Sequence, residues 1–143
     1  MAKKVRTANF KDFESYTTNG RFVRIAGDMI ESQAWQQLDA FERDLYLHIK
    51  NKFRVNQRGE SNERNISFTY REGQELMSKA RFTKSLDKLI EVGLIDLVGL
   101  WRHSKKPTIF GLSARWRDYG TDSFTKQVRS KAKCPYSGGP KRK

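Results

Sequence analysis

An α+β domain, with helices first and a β-hairpin last, is predicted by three observations on this sequence. Residues 69–90 carry two adjacent helix signatures with a turn between them. Residues 94–112 are two dense apolar runs separated by a polar, basic turn. The formal net charge is +13, and several of the cations stand on the outer side of the second helix. Two helices joined by a tight turn and followed by a hairpin make the layout of a winged helix-turn-helix, with the hairpin as the wing.

The elements follow in chain order. Residues 1–20 are polar and close on Thr17-Thr18-Asn19-Gly20, a loop signal, so they are expected to form a flexible N-terminal arm. Phe22-Val23-Arg24-Ile25 alternates apolar and polar and predicts a short strand. Ala26-Gly27-Asp28 reads as a turn. Ser32 is placed to cap a short helix holding Trp35 and Leu38, and Asp39 to cap a longer one. In the longer helix Phe41, Leu45 and Ile49 recur every four residues and predict one apolar stripe toward a core, with His48 at its margin. Residues 56–65 form a polar loop, and Ile66-Ser67-Phe68 a short strand.

Thr69-Tyr70-Arg71-Glu72 has the spacing of a capping box, in which a hydroxyl and a carboxylate each satisfy an orphan backbone N–H. It opens a helix of about two turns. Ser78 caps the next helix, where Phe82, Leu86, Leu89 and Ile90 fall in one inward arc, and Gly93 stops it. Residues 94–101 and 108–112 are the hairpin strands. Both are apolar on both faces, so pattern alone does not set their register. The domain is expected to span residues 21–120. From 121 to 143 there are seven Lys or Arg against one acid and little apolar content, so a basic, disordered tail is expected.

Composition narrows the function classes. A sequence pI near 10.1 favours a polyanion as partner, meaning DNA, RNA or an anionic membrane surface, and does not choose among them. No apolar run approaches the roughly 18 residues of a membrane span, and Met1-Ala2-Lys3-Lys4 does not open a signal peptide, so a cytoplasmic location without membrane association is expected. The single cysteine, Cys134, has no partner for an internal disulfide, and with two histidines in the chain a four-ligand zinc site has nothing to be built from. There is no Gly-rich phosphate loop and no nucleophile elbow, so no catalytic residues, cofactor or metal are expected.

With the apolar arc turned inward, the 100° step per residue puts Ala80, Arg81, Lys84 and Lys88 on the outer side of the second helix. A cationic row there suits the major groove, where Arg and Lys donors meet guanine O6 and N7. Arg81 and Lys84, near the helix start, are the base-contact candidates. Lys79 and Lys88 are phosphate candidates, and Ser78 and Thr83 complete the set. A cationic helix face is ordinarily just a solvated face, and Asp87 and Glu91 dilute this one. The capped helix before it and the hairpin after it are what favour the nucleic-acid reading. Arg102, Lys105 and Lys106 at the hairpin tip are expected to lie along phosphates, and the tail cations to add attraction without reading sequence. Trp35 and Trp101 sit in apolar patterns that suit a core. Trp116, in Arg115-Trp116-Arg117, suits either base stacking or packing on the domain, and both of its arginines are candidate DNA contacts.

Three segments carry a resemblance: Phe22-Val23-Arg24-Ile25 with Ser32-Gln33-Ala34-Trp35, residues 77–86 through Gly93-Leu94-Ile95-Asp96, and residues 112–121. They are similar to small winged helix-turn-helix DNA-binding proteins of bacterial phages, plasmids and conjugative elements, over about residues 21–125. In those proteins Thr often stands where Arg81 does, which implies a different contact here. The resemblance implies a bacterial, nucleoid- or plasmid-associated protein whose partners are double-stranded DNA and other replication, transfer or transcription proteins. The expected function is sequence-preferring duplex binding as an accessory, replication or regulatory factor of a mobile element. The alternatives are an RNA-binding or translation-associated basic protein and a winged-helix module that docks another protein. Oligomeric state and target sequence stay open.

Overall fold

The computed structural model describes residues 22–100 and 106–128. They form an α+β domain of five α-helices and one three-stranded antiparallel sheet. Two short helices, α1 (Gly27–Glu31) and α2 (Gln33–Gln36), meet at Ser32. The Ser32 hydroxyl donates to the Met29 carbonyl at 2.6 Å and accepts from the Trp35 N–H at 3.2 Å, ending one helix and starting the next. Residues 22–25, expected as a strand, are irregular, and the expected turn at Gly27 opens α1 instead. Four alternating residues have no ladder to join, since the described strand partners are all elsewhere.

Helix α3 (Ala40–Lys50) starts at a full capping box: Asp39 accepts from the Glu42 N–H at 2.9 Å, and the Glu42 carboxylate accepts from the Asp39 N–H. Leu45, Tyr46 and Ile49 are its buried stripe. Phe41 is not part of it, being 45% exposed, and Tyr46 takes the core position, edge-on to Trp35 at 5.8 Å. Burial pushes the Tyr46 hydroxyl up to a pKa of about 12. His48 lies on the solvent side, 3.4 Å from Asp44.

After the polar loop, β1 (Ile66–Ser67) leads into α4 (Tyr70–Leu76), whose capping box joins Thr69 and Glu72 as expected. Lys52 donates to the Ser67 carbonyl at 2.7 Å and pairs with Glu72, tying the end of α3 to the start of α4. Helix α5 (Lys79–Glu91) packs on α3 and α4 with Phe82, Ser85, Leu86, Leu89 and Ile90 buried. Gly73 of α4 faces the Phe82 ring at a range that leaves no room for a Cβ. Gly93, at φ +86°, ends α5 in a Schellman turn: Leu94 N–H reaches the Leu89 carbonyl at 3.1 Å and Gly93 N–H that of Ile90 at 3.2 Å.

Strand β2 (Ile95–Gly99) pairs with β3 (Ile109–Leu112), which also pairs with β1, so the order is β1-β3-β2. Ile95 stands opposite Leu112 and Leu97 opposite Phe110, with a bulge between Leu97 and Gly99. This is the register that pattern left open. A 3-10 helix, Arg115–Asp118, then buries Trp116. Residues 121–128, assigned to the tail by composition, pack on the domain. Phe124 meets Tyr119 edge-on at 5.3 Å, and the Gln127 side-chain amide bonds both the N–H and the carbonyl of Leu97, at 2.8 and 3.3 Å, along the free edge of β2. The arm, the hairpin tip at 101–105 with Trp101, and residues 129–143 with Cys134 lie outside the described residues.

Candidate nucleic-acid interface

The outer side of α5 is built by its inner one. Because Phe82, Leu86, Leu89 and Ile90 are 3% exposed or less, the helix is held at a single rotation, which leaves Ala80, Lys84, Asp87 and Glu91 in solvent. Ser78 accepts from the Arg81 N–H at 3.2 Å and starts the helix, as its spacing predicts. Charge is divided along this side. Lys79, Arg81 and Lys84 stand in the first half, whereas Asp87 and Glu91 accompany Lys88 in the second.

The cations have different surroundings. Lys84 is exposed at the centre of the outer side and has no ion pair among the described residues. Lys79 extends toward α4, its Nζ 5.7 Å from the Tyr70 ring. Lys88 is half-buried, 3.8 Å from Glu91. Thr83 is half-exposed beside Lys84. Arg81 leans on the start of α3, its guanidinium 4.6 Å over the Phe41 ring and 3.2 Å from Asp39. The hydrogen bond from the Glu42 N–H is the main cause holding the Asp39 carboxyl below the usual range; burial opposes it, and the Glu42 side chain and Arg81 add to it. Burial raises its neighbour Glu42.

Elsewhere the candidates separate. Lys106 is exposed at the base of the hairpin, on a cleft of about 1350 Å³ that also takes in Asp87 and Glu91 of α5 and Lys126. Arg102 and Lys105 fall outside the described residues. Arg117 lies over the Trp116 ring at 4.6 Å and reaches Asp28 of α1 at 3.3 Å, so the tryptophan packs on the domain with the cation outside it.

Arg115 is turned inward. Its Nε donates to Asp96 at 2.6 Å, Nη2 to the carbonyls of Ile90 and Ile95 at 3.0 Å each, and Nη1 to that of Thr125 at 2.8 Å. A guanidinium so placed closes the end of α5, the start of β2 and the C-terminal segment together. Asp96 is shared with Arg64, 2.7 Å away. Burial disfavours its charge, but the two arginines outweigh burial and keep the carboxyl below its usual range.

Sequence reasoning passed over Asp39 as anything but a cap, and Phe41 as anything but core. The available signal was weak: both stand in the first turn of a helix that packs on α5, but which α5 residue meets them depends on how the two helices cross. Among the described residues no group of acids, histidines and cysteines could hold a metal ion, and no helix is long and apolar enough to cross a membrane. Compared with known protein families, curated proteins and solved structures, the chain has no match.

Proposed function

We propose that this protein is a winged helix-turn-helix that binds double-stranded DNA with sequence preference, α5 entering the major groove and the β2–β3 hairpin serving as the wing. The observation that carries the reading is the polarity of α5. One side is locked into the core, and the basic half of the other lies at the helix start, the part that reaches base edges when such a helix enters the groove. The strand order β1-β3-β2, with α4 and α5 inserted between β1 and β2, supports it. On this reading Lys84 and Arg81 contact bases, Lys79 and Lys88 contact phosphates, and Lys106 follows the backbone from the hairpin.

The reading makes the protein a binding factor without catalytic activity, acting in the bacterial cytoplasm in replication, transfer or transcription of a mobile element. Its test is binding at one fixed salt concentration to a random-sequence duplex pool, the separated strands and an RNA hairpin, followed by repeated selection from the pool. Duplex binding that enriches a motif is the expected result. Tighter binding to the RNA or single strands would replace DNA by RNA as partner, and no binding to any of them would leave a protein-docking module.

A further inference from the structure

Arg81 is the cation on α5 that meets both a carboxylate and an aromatic ring at the start of α3. Asp39 divides its carboxylate between two tasks: Oδ1 accepts the Glu42 N–H at 2.9 Å and caps α3, while Oδ2 accepts from Arg81 Nη1 at 3.2 Å. The cap restrains the carboxylate, so the arginine is tied to a group with reduced freedom of its own. Phe41 supplies the second constraint. Its ring, 45% exposed and out of the core stripe, lies under the guanidinium at 4.6 Å. Contact with a flat ring and one end-on hydrogen bond hold an arginine without consuming it, because Nε and Nη2 have no hydrogen-bond partner among the described residues. Two donors are what a bidentate contact to guanine needs.

We propose that Asp39 and Phe41 are positioning residues that set Arg81 for base recognition, so that the first turn of α3 governs the specificity of α5. The inference rests on the reading of α5 as the groove-entering helix. A long side chain already held in place gives up less rotamer freedom when it binds, which strengthens the one contact that matches its geometry. The Asp39 carboxylate also repels phosphates, which weakens binding where Arg81 finds no matching base. Both effects raise the ratio of preferred to random binding, and neither requires Asp39 to touch DNA.

The decisive variant is Asp39→Asn, because Asn caps a helix as well as Asp but has no charge for Arg81. Wild type first selects its preferred duplex from a random pool, and affinities for that duplex and a random one are then measured at one salt concentration. Asp39→Asn is expected to lower the preferred-to-random ratio about tenfold and to blur the same base pair that Arg81→Ala blurs. In an Arg81→Ala background it should lower the ratio no further. Phe41→Leu, which leaves the cap intact, should blur that base pair too and keeps the test valid if Asp39→Asn unfolds. An unchanged ratio in a folded variant, or an equal loss with and without Arg81, overturns the inference while leaving duplex binding in place. If wild type binds no duplex, the proposed function and this inference fall together.

Discussion

Two arginine–carboxylate pairs sit at opposite ends of α5 and share their chemistry but not their surroundings. At the start, Arg81 and Asp39 meet at 3.2 Å with side chains 35% and 45% exposed. Past the end, Arg115 and Asp96 meet at 2.6 Å with side chains 17% and 15% exposed. The inner guanidinium spends its donors on Asp96 and three carbonyls, whereas the outer one spends a single donor. An ion pair in water contributes little to stability, and one closed off from water becomes costly to break. Burial, rather than residue type, therefore separates a cation available to a ligand from one that belongs to the fold.

Arg115→Ala should have the greatest consequence for the inner pair. It leaves Asp96 with Arg64 as its one remaining arginine partner and removes the donors to Ile90 and Ile95, so a loss near the lower end of about 3–5 kcal/mol is expected. Chemical denaturation measures it. In the fraction still folded the preferred-to-random binding ratio should stay as in wild type, and a specific loss there would place Arg115 at the DNA after all.

Gly93→Ala attacks the same end from the backbone. Its φ of +86° disfavours a side chain, and a Cβ would stand 2.8 Å from both Arg115 Cβ and the Trp116 nitrogen. About 1–3 kcal/mol of stability should be lost, visible as a lower unfolding temperature. An unchanged temperature would mean that the 3-10 helix yields easily.

Arg81→Ala should do the reverse of Arg115→Ala. Stability should change by less than about 1 kcal/mol, as for other exposed pairs, while binding to the preferred duplex should weaken by about 1–3 kcal/mol and lose selectivity at one base pair. Equilibrium titration on preferred and random duplexes checks it.

The smallest expected effect is on acid stability. The Asp96 carboxyl lies below its usual range in the folded protein, so its contribution is complete above the unfolded value and is lost as pH falls through the folded one. Below about pH 4 the wild type should therefore lose stability more steeply than Arg115→Ala. Equal slopes in urea unfolding at stepped pH would show that Arg64 alone holds the carboxylate.

The features legible in the chain alone are local. Caps at Ser32, Asp39, Thr69 and Ser78, the stop at Gly93 and the inward arc of α5 all depend on residues within about a turn of one another, where spacing fixes geometry. Features that depend on distant neighbours emerged only on packing. Phe41 has the right spacing for the core yet lies 45% exposed outside it, because Tyr46 takes the core position and leaves the Phe41 ring facing Arg81 of α5. Arg115 has the sequence context of a surface cation, yet Asp96 and the carbonyls of Ile90, Ile95 and Thr125 draw it inward. Residues 121–128 are polar by composition, yet Gln127 finds its partner thirty residues away at Leu97 and Phe124 meets Tyr119. Hydrogen bonds and ring contacts between residues far apart in the chain leave no periodic trace in it, and so whether a described cation faces solvent or the interior became legible only once the helices and the sheet were packed.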